Sequence, residues 1–339
     1  MEALVWKGIG VVQLEDGVRA PTISEREVLV RVQAAGICTT DIHMIEGKLD
    51  FAKPPWILGH EIAGVVERVG AEVRGWTPGD RVAVDPVVGC GQCGVCRIGK
   101  KYLCASGGEL GTTYENGGYG QFVAVGPDNL YRLPHDLSYA EGAMMEPLNC
   151  TMGAVHRTGS MAGARVAVFG PGPAGLLFIQ LAKVYGAASV TLVGLDDERL
   201  QLGERLGADR TVNIRQAAER EAFHQQQYDV VIEASGSIAA VRDGMERVCR
   251  GGTMVMYGLN GSDQPSIQSD QIVGKDLTIV TCVSAPLLWE QGIRLTQTGR
   301  INVKDIVTHH VPFAQAEDTL KAILAGRFDG VKAVIEYDA

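Results

Sequence analysis

The chain has 339 residues, of which 46% are apolar and 21% are charged, as is typical of a globular protein of about two domains. Its 40 acidic residues outnumber the 31 lysines and arginines, so we expect neither nucleic acid nor a membrane surface among its partners. No apolar stretch approaches the roughly 20 residues that span a bilayer, and the N-terminus lacks the apolar core of a signal peptide. These features predict a cytoplasmic protein.

Short apolar and alternating segments predict that the first 150 residues are mainly β. The candidate strands cover residues 3–6, 28–32, 61–69, 80–84 and 121–125. No long helical pattern occurs before residue 138. We therefore expect a barrel-like β domain at residues 1–150.

A cluster of cysteines lies within this first domain. Cys90, Cys93, Cys96 and Cys104 follow a C-x2-C-x2-C-x7-C pattern in a glycine-rich loop. Clustered cysteines in a chain without a secretion signal are typical of metal sites rather than of disulfides. Four thiolates close a tetrahedral zinc site and leave no open position, so we expect a structural zinc ion. The spacing alone does not exclude an iron–sulfur cluster.

The pattern changes near residue 151. Apolar runs at residues 166–169, 190–193, 229–232 and 253–257 alternate with helical patterns at residues 199–206 and 238–249. Strands that are apolar on both faces and alternate with helices are typical of a parallel, doubly wound sheet. We expect this domain to cover residues 151–283. Residues 284–339, which end in a candidate strand at 331–337, are expected to return to the first domain.

A glycine fingerprint follows the first of these strands. Gly170, Gly172 and Gly175 match G-x-G-x-x-G, and Pro173 and Ala174 complete the turn that opens the next helix. In this context the glycines permit a tight turn, a close approach to a pyrophosphate and close packing of the helix on the sheet. The loop therefore predicts dinucleotide binding.

The choice between NAD and NADP depends on the end of the second strand. An acidic residue that binds the ribose usually stands there, but this chain has Gly194. A glycine makes room for a 2′-phosphate, which Arg199 is close enough in sequence to reach. The acidic run that begins at Asp196 would repel such a phosphate, and Asp196 itself is a candidate ribose ligand. We therefore expect NAD, with NADP as the alternative.

Four further residues are candidate ligands of a second metal ion: Cys38, His60, Glu61 and Glu146. Three of them also have an ordinary interpretation: Cys38 as a buried thiol, His60 as a core histidine and Glu146 as an acid in the first turn of a helix. Their presence beside a tetracysteine loop and a dinucleotide fingerprint favours zinc with an open position, as in catalytic sites.

Four motifs follow one another along the chain: Gly-Ile-Cys-Thr-Thr-Asp-Ile-His at 36–43, Gly-His-Glu-Ile-Ala-Gly-Val-Val at 59–66, the cysteine loop and the glycine fingerprint. In this order and spacing they resemble the zinc-dependent medium-chain dehydrogenases over essentially the whole chain. The branch with polyol (sorbitol-type), sugar and threonine dehydrogenases is the most similar. Like this chain, it has a glutamate at the position of Glu146, where simple alcohol dehydrogenases have a third cysteine ligand.

The resemblance implies a fold and a set of residue roles. The fold would be α/β, with a GroES-like β-barrel catalytic domain and a Rossmann domain. Cys38 and His60 would be zinc ligands, and Glu61 and Glu146 would be alternating or water-mediated ligands. Thr40 would accept the proton of the substrate, and His43 would pass it on.

The implied function is oxidation of a secondary alcohol of a polyol, sugar or hydroxy-amino acid to the ketone, with hydride transfer to NAD(P)+. Each chain would hold two zinc ions, one catalytic and one structural, and would form a homodimer or homotetramer. Leu287, Leu288 and Trp289 are candidates for a subunit contact or for burial within the monomer. The alternatives are an NADPH-dependent aldehyde or ketone reductase and a non-catalytic zinc- and dinucleotide-binding protein.

Overall fold

A computed structural model describes residues 1–261 and 266–338. The chain divides into two compact units. The first consists of Met1–Pro147, Pro286–Gln297 and Val303–Ala339, and the second of Leu148–Ala285 and Thr298–Asn302.

The N-terminal part of the first unit is mainly β. Its strands are β1 (Ala3–Gly8), β2 (Val11–Glu15), β3 (Val28–Gly36), β4 (Trp56–Ile57), β5 (Glu61–Val69), β6 (Arg81–Val84), β7 (Val87–Val88), β8 (Gly108–Glu109), β9 (Phe122–Val125) and β10 (Leu130–Arg132). Its helices are short: α1 (Thr39–Ile45), α2 (Gly94–Arg97) and α3 (Tyr139–Ala143). The long candidate strands recur as β3 and β5, which pair in antiparallel fashion.

The second unit alternates helices and strands. Its elements are α4 (Met145–Thr158), β11 (Arg165–Phe169), α5 (Pro173–Val184), β12 (Ser189–Gly194), α6 (Asp197–Arg205), β13 (Arg210–Asn213), α7 (Ala217–His224), β14 (Tyr228–Glu233), α8 (Ile238–Arg247), β15 (Val248–Met256), α9 (Ser269–Lys275) and β16 (Thr278–Val280). The first three residues of α4 still belong to the first unit.

These strands form a parallel sheet in the order β13-β12-β11-β14-β15-β16. Numbered from β11, this is the order 3-2-1-4-5-6 of the Rossmann fold. The central strand β11 is almost entirely buried, which explains its continuous apolar sequence, because helices cover both faces of such a sheet. The expected combination of a β domain and a doubly wound parallel sheet is confirmed.

The C-terminal segment completes the first unit. Its elements are α10 (Trp289–Gln297), β17 (Val307–Pro312), α11 (Ala316–Leu324) and β18 (Lys332–Glu336). Strand β18 pairs antiparallel with β3 and parallel with β17, within a sheet of order β10-β6-β5-β3-β18-β17. Most of the tail therefore belongs to the first unit, and its last strand lies beside the one that leads to Cys38.

Two further expectations concern membranes and a subunit contact. Among the described helices, none combines the length and the apolar character that crossing a bilayer requires. Trp289 is buried and its ring stacks on Tyr131 at 5.1 Å between centroids, so it packs inside the first unit, whereas Leu287 is exposed.

Candidate active site

Three of the four candidate ligands of the second metal converge in the first unit. Cys38 is the N-cap of α1, just beyond the end of β3, and Glu61 opens the neighbouring strand β5, where it pairs with Gly36. His60 directly precedes Glu61. The sulfur of Cys38, a ring nitrogen of His60 and a carboxylate oxygen of Glu61 all lie within 4.8 Å of one another. Soft sulfur, imidazole nitrogen and carboxylate oxygen are the donors that zinc binds in catalytic sites, so this set fits a zinc ion.

The fourth candidate, Glu146, is placed differently. It lies in the first turn of α4 and is buried. It stands outside the group of three whose donor atoms lie within 4.8 Å of one another. Its role as an alternating or water-mediated ligand stays a prediction.

Glu61 is held by a lysine that the sequence analysis did not single out. Lys332 Nζ, on β18, lies 2.6 Å from Glu61 Oε1 and 2.5 Å from Oε2, and it donates to the carbonyl of Ile37 at 2.9 Å. Burial would lower the pKa of Lys332, but the carboxylate of Glu61 outweighs it and raises that pKa. Gly36 makes the arrangement possible, because a Cβ on it would lie 1.8 Å from Glu61 Oε2.

A second buried carboxylate, Asp41, also escaped the sequence analysis. It accepts hydrogen bonds from the amide of Cys38 at 3.1 Å, from the amide of Gly59 at 3.3 Å and from the hydroxyl of Tyr119 at 2.8 Å. Its Oδ1 also lies 3.4 Å from His60 Nδ1. A carboxylate in this position orients an imidazole ligand and raises its basicity.

Asp41 and His60 each shift the pKa of the other. Burial alone would raise the pKa of Asp41, but His60 and the hydrogen bonds from Tyr119 and Cys38 outweigh it and lower the pKa. Burial alone would lower the pKa of His60, but Asp41 and Cys38 raise it well above its usual value. A metal ion that binds this ring must therefore displace a proton.

The two candidate relay residues lie on α1. Thr40 and His43 are three residues apart on this helix, so they are neighbours on one of its faces. Both are half-buried. The pKa of His43 is lowered, first by burial and then by Lys48, so the ring is neutral near neutral pH. A neutral imidazole can accept a proton on one nitrogen and donate one from the other.

The four cysteines of the loop also converge. The sulfurs of Cys90, Cys93, Cys96 and Cys104 lie within 4.8 Å of one another, and all of them are free. The amide of Cys90 donates to Cys104 Sγ and the amide of Cys93 donates to Cys90 Sγ, both at 3.4 Å. Backbone donors, first from Gln92 and then from Cys93, lower the pKa of Cys90 to about 6, while burial raises that of Cys96 to about 12. The four-sulfur set fits a closed, structural zinc site.

The glycine loop of the second unit has the geometry that a dinucleotide needs. Gly170 has φ of 102°, which favours glycine. A Cβ on Gly175 would lie 1.8 Å from the carbonyl oxygen of Gly170, whereas nothing lies within 4 Å of one on Gly172. Gly172 caps α5, and Pro173 and Ala174 form its first turn. The open backbone at a helix N-terminus fits a pyrophosphate.

The end of β12 differs from one expectation. A Cβ on Gly194 would lie 2.7 Å from Pro171 Cγ. The proline ring therefore fills the space that a side chain would enter, and the glycine does not by itself make room for a phosphate. Asp196 caps α6, because its Oδ1 accepts from the amide of Arg199 at 3.0 Å. Asp197 accepts from the side-chain amide of Asn213 at 2.7 Å.

Comparison with known proteins gives two matches to family models. Residues 24–135 match the alcohol dehydrogenase GroES-like domain, and residues 173–298 match the zinc-binding dehydrogenase model. The first range contains Cys38, His60, Glu61 and the cysteine loop, and the second begins within the dinucleotide loop, at Pro173.

Curated relatives match over nearly their whole length. A sorbitol dehydrogenase of Bacillus subtilis is 30% identical over 99% of this chain and 97% of its own. A D-xylulose reductase A of Aspergillus niger is 32% identical over 98% and 96%, respectively.

Solved structures agree with the fold. A protein of Sinorhizobium meliloti bound to NADP has a TM-score of 0.88 at 28% identity, covering 99% of this chain and 98% of its own. An alcohol dehydrogenase of Escherichia coli complexed with NADH has a TM-score of 0.90 at 27% identity and covers 99% of each chain.

Proposed function

Because the chain belongs to the zinc-dependent medium-chain dehydrogenases, we propose that its own substrate is a secondary alcohol of a polyol, sugar or hydroxy-amino acid. Membership makes it a zinc-dependent oxidoreductase that acts on a small alcohol with a nicotinamide dinucleotide. The polyol class is supported by the sorbitol dehydrogenase and D-xylulose reductase among its relatives. The product is the corresponding ketone.

The observation that carries this proposal is the convergence of Cys38, His60 and Glu61 within 4.8 Å. We propose that these residues, with Glu146 as an alternating or water-mediated ligand, hold a catalytic zinc ion. The four cysteines of the loop would hold a second, structural ion. When bound, the catalytic zinc acts as a Lewis acid that makes a hydroxyl group easier to deprotonate, and the nicotinamide accepts the hydride.

The residues of α1 supply the path of the proton. Thr40 accepts it from the substrate hydroxyl and passes its own hydroxyl proton to His43. Their spacing of three residues on α1 supports this order, and the lowered pKa of His43 keeps the ring ready to accept a proton. The half-burial of both side chains gives the relay an outlet to water.

The carboxylate-rich ligand set supports a polyhydroxy substrate. Exchanging a thiolate for a carboxylate would make the metal site harder, and such a site would favour a substrate that offers two adjacent hydroxyl oxygens. Vicinal diols should therefore have a higher kcat/KM than simple primary alcohols. If primary alcohols outperform every vicinal diol, this part of the proposal is wrong.

For the cofactor, we propose NAD rather than NADP. The glycine loop from Gly170 to Gly175 would bind the pyrophosphate, and the exposed acids at the start of α6 would repel a 2′-phosphate. One oxygen of Asp196 caps the helix, and its carboxylate is the candidate ligand of the ribose hydroxyls. Arg199 is the residue that would instead serve NADP. A higher kcat/KM with NADP+ would refute the preference.

We also propose a cytoplasmic homodimer or homotetramer. The free cysteines suit a reducing compartment. Strand β16 is an edge of the parallel sheet, and Val273, Ile279 and Val283 near it are exposed. Exposed apolar edge strands are usually covered, and a second copy of the chain is the proposed cover. Sedimentation measures the assembly, and a monomer at every concentration would contradict it.

The test of the function is a substrate panel with both cofactors. Purified protein of known zinc content is mixed with NAD+ or NADP+ and with sorbitol-like polyols, sugars, hydroxy-amino acids and simple alcohols, and the reduced cofactor is measured. Ketoses with NADPH test the reverse direction, which is the direction named in the D-xylulose reductase A among the relatives. Tight zinc and cofactor binding without turnover in either direction would leave the non-catalytic alternative.

A further inference from the structure

We propose that Tyr119 is a positioning residue of the candidate catalytic metal site, and that it acts through Asp41 on both Cys38 and His60. This inference rests on the proposed function, because it assigns a role toward the metal that those two residues would hold. The hydroxyl group of Tyr119 lies outside the cysteine, histidine and glycine motifs of the chain.

The backbone fixes Tyr119 next to the segment that leads into His60. The amide of Gly117 donates to the carbonyl of Ile57 at 2.8 Å, that of Gly118 to Gly59 at 2.7 Å, and that of Tyr119 to Leu58 at 3.0 Å. Three consecutive hydrogen bonds leave the tyrosine little freedom to move along this segment. The residue is 1% exposed.

The ring of Tyr119 lies against Gly59. A Cβ on Gly59 would lie 2.5 Å from Tyr119 Cδ1, and Gly59 has φ of 90°. Both the contact and the backbone conformation therefore require glycine at this position. The ring fills the space directly before His60, and packing alone would be satisfied by a phenylalanine.

The hydroxyl group of Tyr119 makes a polar contact that packing of the ring does not require. It donates to Asp41 Oδ2 at 2.8 Å, with the carbonyl oxygen of Gly36 farther away at 3.4 Å. Burial, with the charge of Asp41, raises the pKa of Tyr119 well above its usual value, so the group remains a donor. Tyr119 thus connects the segment before His60 with the end of β3 and the start of α1.

Each carboxylate oxygen of Asp41 lies next to one of the two candidate metal ligands Cys38 and His60. Oδ2 accepts from the Cys38 amide and from Tyr119, while Oδ1 accepts from the Gly59 amide and faces His60 Nδ1 at 3.4 Å. One fully buried carboxylate therefore sets the direction of the Cys38 backbone and of the His60 ring. Tyr119 supplies the one side-chain hydroxyl among the three donors of this carboxylate in the described residues, so its loss removes one of the three hydrogen bonds that hold Asp41 in place.

Loss of the hydroxyl should weaken the metal site without dismantling it. Outer partners of metal-bound histidines typically contribute 10–100-fold to metal affinity. Tyr119 acts one bond farther out than Asp41, so we expect the lower end, about a 10-fold increase in the dissociation constant for zinc. Among the described residues, the hydrogen bonds of Asp41 come from Cys38, Gly59 and Tyr119 and from none of the four loop cysteines, so the tetracysteine site should keep its ion.

The test compares Tyr119→Phe with a matched control, Tyr337→Phe. Tyr337 is a partly buried tyrosine of the first unit, and its hydroxyl donates to the carbonyl of Gly118 at 2.6 Å rather than to Asp41. Each variant retains its ring and loses the hydrogen bond that the tyrosine hydroxyl donates. Zinc affinity is measured by chelator competition on the full-length protein, and cobalt substitution reports the ligand geometry through its visible spectrum.

The expected result is a weaker zinc site and an altered cobalt spectrum in Tyr119→Phe only, with the tetracysteine ion retained. Equal zinc affinities in wild type and Tyr119→Phe would overturn the inference, as would an equal loss in both variants. If the wild type binds no ion that depends on Cys38 and His60, the proposed function itself fails. These results are distinguishable because the first two leave the wild-type metal content intact.

Discussion

The buried pair of Lys332 and Glu61 gives the sharpest test of how the first unit is held together. The two side chains are 3% and 1% exposed, and the ammonium lies 2.6 Å from one carboxylate oxygen and 2.5 Å from the other. The substitution Lys332→Met keeps most of the length of the side chain and removes its charge. It leaves the Glu61 carboxylate buried without its cation, and the carbonyl of Ile37 without a donor.

The size of the effect follows from this burial. Removing one partner of a buried ion pair costs roughly 3–5 kcal/mol. For a folded unit of about 150–250 residues, each kcal/mol shifts Tm by roughly 2–4 °C. The unfolding transition of the first unit should therefore fall by roughly 6–20 °C. The double variant with Glu61→Gln should recover part of the loss, because it no longer buries an unpaired charge.

Differential scanning calorimetry of the zinc-loaded and the zinc-free protein measures the shift. Lys321→Met is the matched control, because Lys321 Nζ lies 2.5 Å from Glu317 Oε1, with the two side chains 51% and 26% exposed. Exposed pairs contribute about 0–1 kcal/mol. Equal shifts in Tm for the two methionine variants would refute the reasoning, because burial would then have no effect on how much the ion pair of a lysine contributes to stability.

Three further predictions concern the cysteine loop and the dinucleotide loop. Cys93→Ser should remove one zinc ion per chain and lower Tm, measured by metal analysis and calorimetry, because three thiolates no longer close the site. In zinc-free protein, the rate of iodoacetamide alkylation at Cys90 should increase with pH, and half of the increase should be reached at about pH 6, because the reactive thiolate forms above the pKa. Cys96, with a pKa of about 12, should react slowly over the same pH range. Gly175→Ala should raise the dissociation constant for NADH, measured by fluorescence, because its methyl group would lie 1.8 Å from the Gly170 carbonyl oxygen.

Each of these predictions has a contrary outcome. An unchanged zinc count in Cys93→Ser would exclude the structural site. Equal alkylation rates at Cys90 and Cys96 across the pH range would show that the backbone donors do not select a thiolate. For the glycine, the control is Gly274→Ala on α9, where nothing lies within 4 Å of an added Cβ. Wild-type affinity for NADH in Gly175→Ala would contradict the close approach of α5 to the loop.

The elements that the sequence predicted well are those whose signal is local. The run before Gly170 is apolar on every residue because β11 is buried on both faces. The glycine fingerprint follows this strand immediately and opens the next helix, so the three neighbouring segments together predict a dinucleotide-binding turn. The cysteine spacing is local too, and the four sulfurs lie within 4.8 Å as the spacing predicts.

The residues that the sequence did not reveal act over long distances along the chain. Lys332 contacts a residue 271 positions away, and Tyr119 contacts one 78 positions away. A lysine in a C-terminal strand and a tyrosine between two glycines have no local pattern that distinguishes them from surface or packing residues. Asp41 lies within a recognisable segment, but its part in the site depends on donors brought by other strands.

Gly194 shows how a correct motif can still be misread. From the sequence, the missing acid suggested space for a phosphate. In the structure Pro171, the second residue of the fingerprint, occupies that space, with its Cγ 2.7 Å from where a Cβ would lie. Pro171 follows β11 and Gly194 ends β12, and these two strands are neighbours in the sheet. The contact that excludes a side chain at position 194 is therefore visible only in the folded sheet.

The position of β18 beside β3 sets an order of events during protein synthesis. The ribosome adds roughly 5–20 residues per second, so the 271 residues between Glu61 and Lys332 take roughly 14–54 s to make. During that interval the intervening Rossmann unit can fold as it emerges. The candidate metal site around Glu61 still lacks the ammonium group of Lys332 and the strand β18. Metal capture at Cys38 and His60 should therefore be a late step in biogenesis, and a ribosome-stalled chain ending before β18 should bind zinc through its cysteine loop alone.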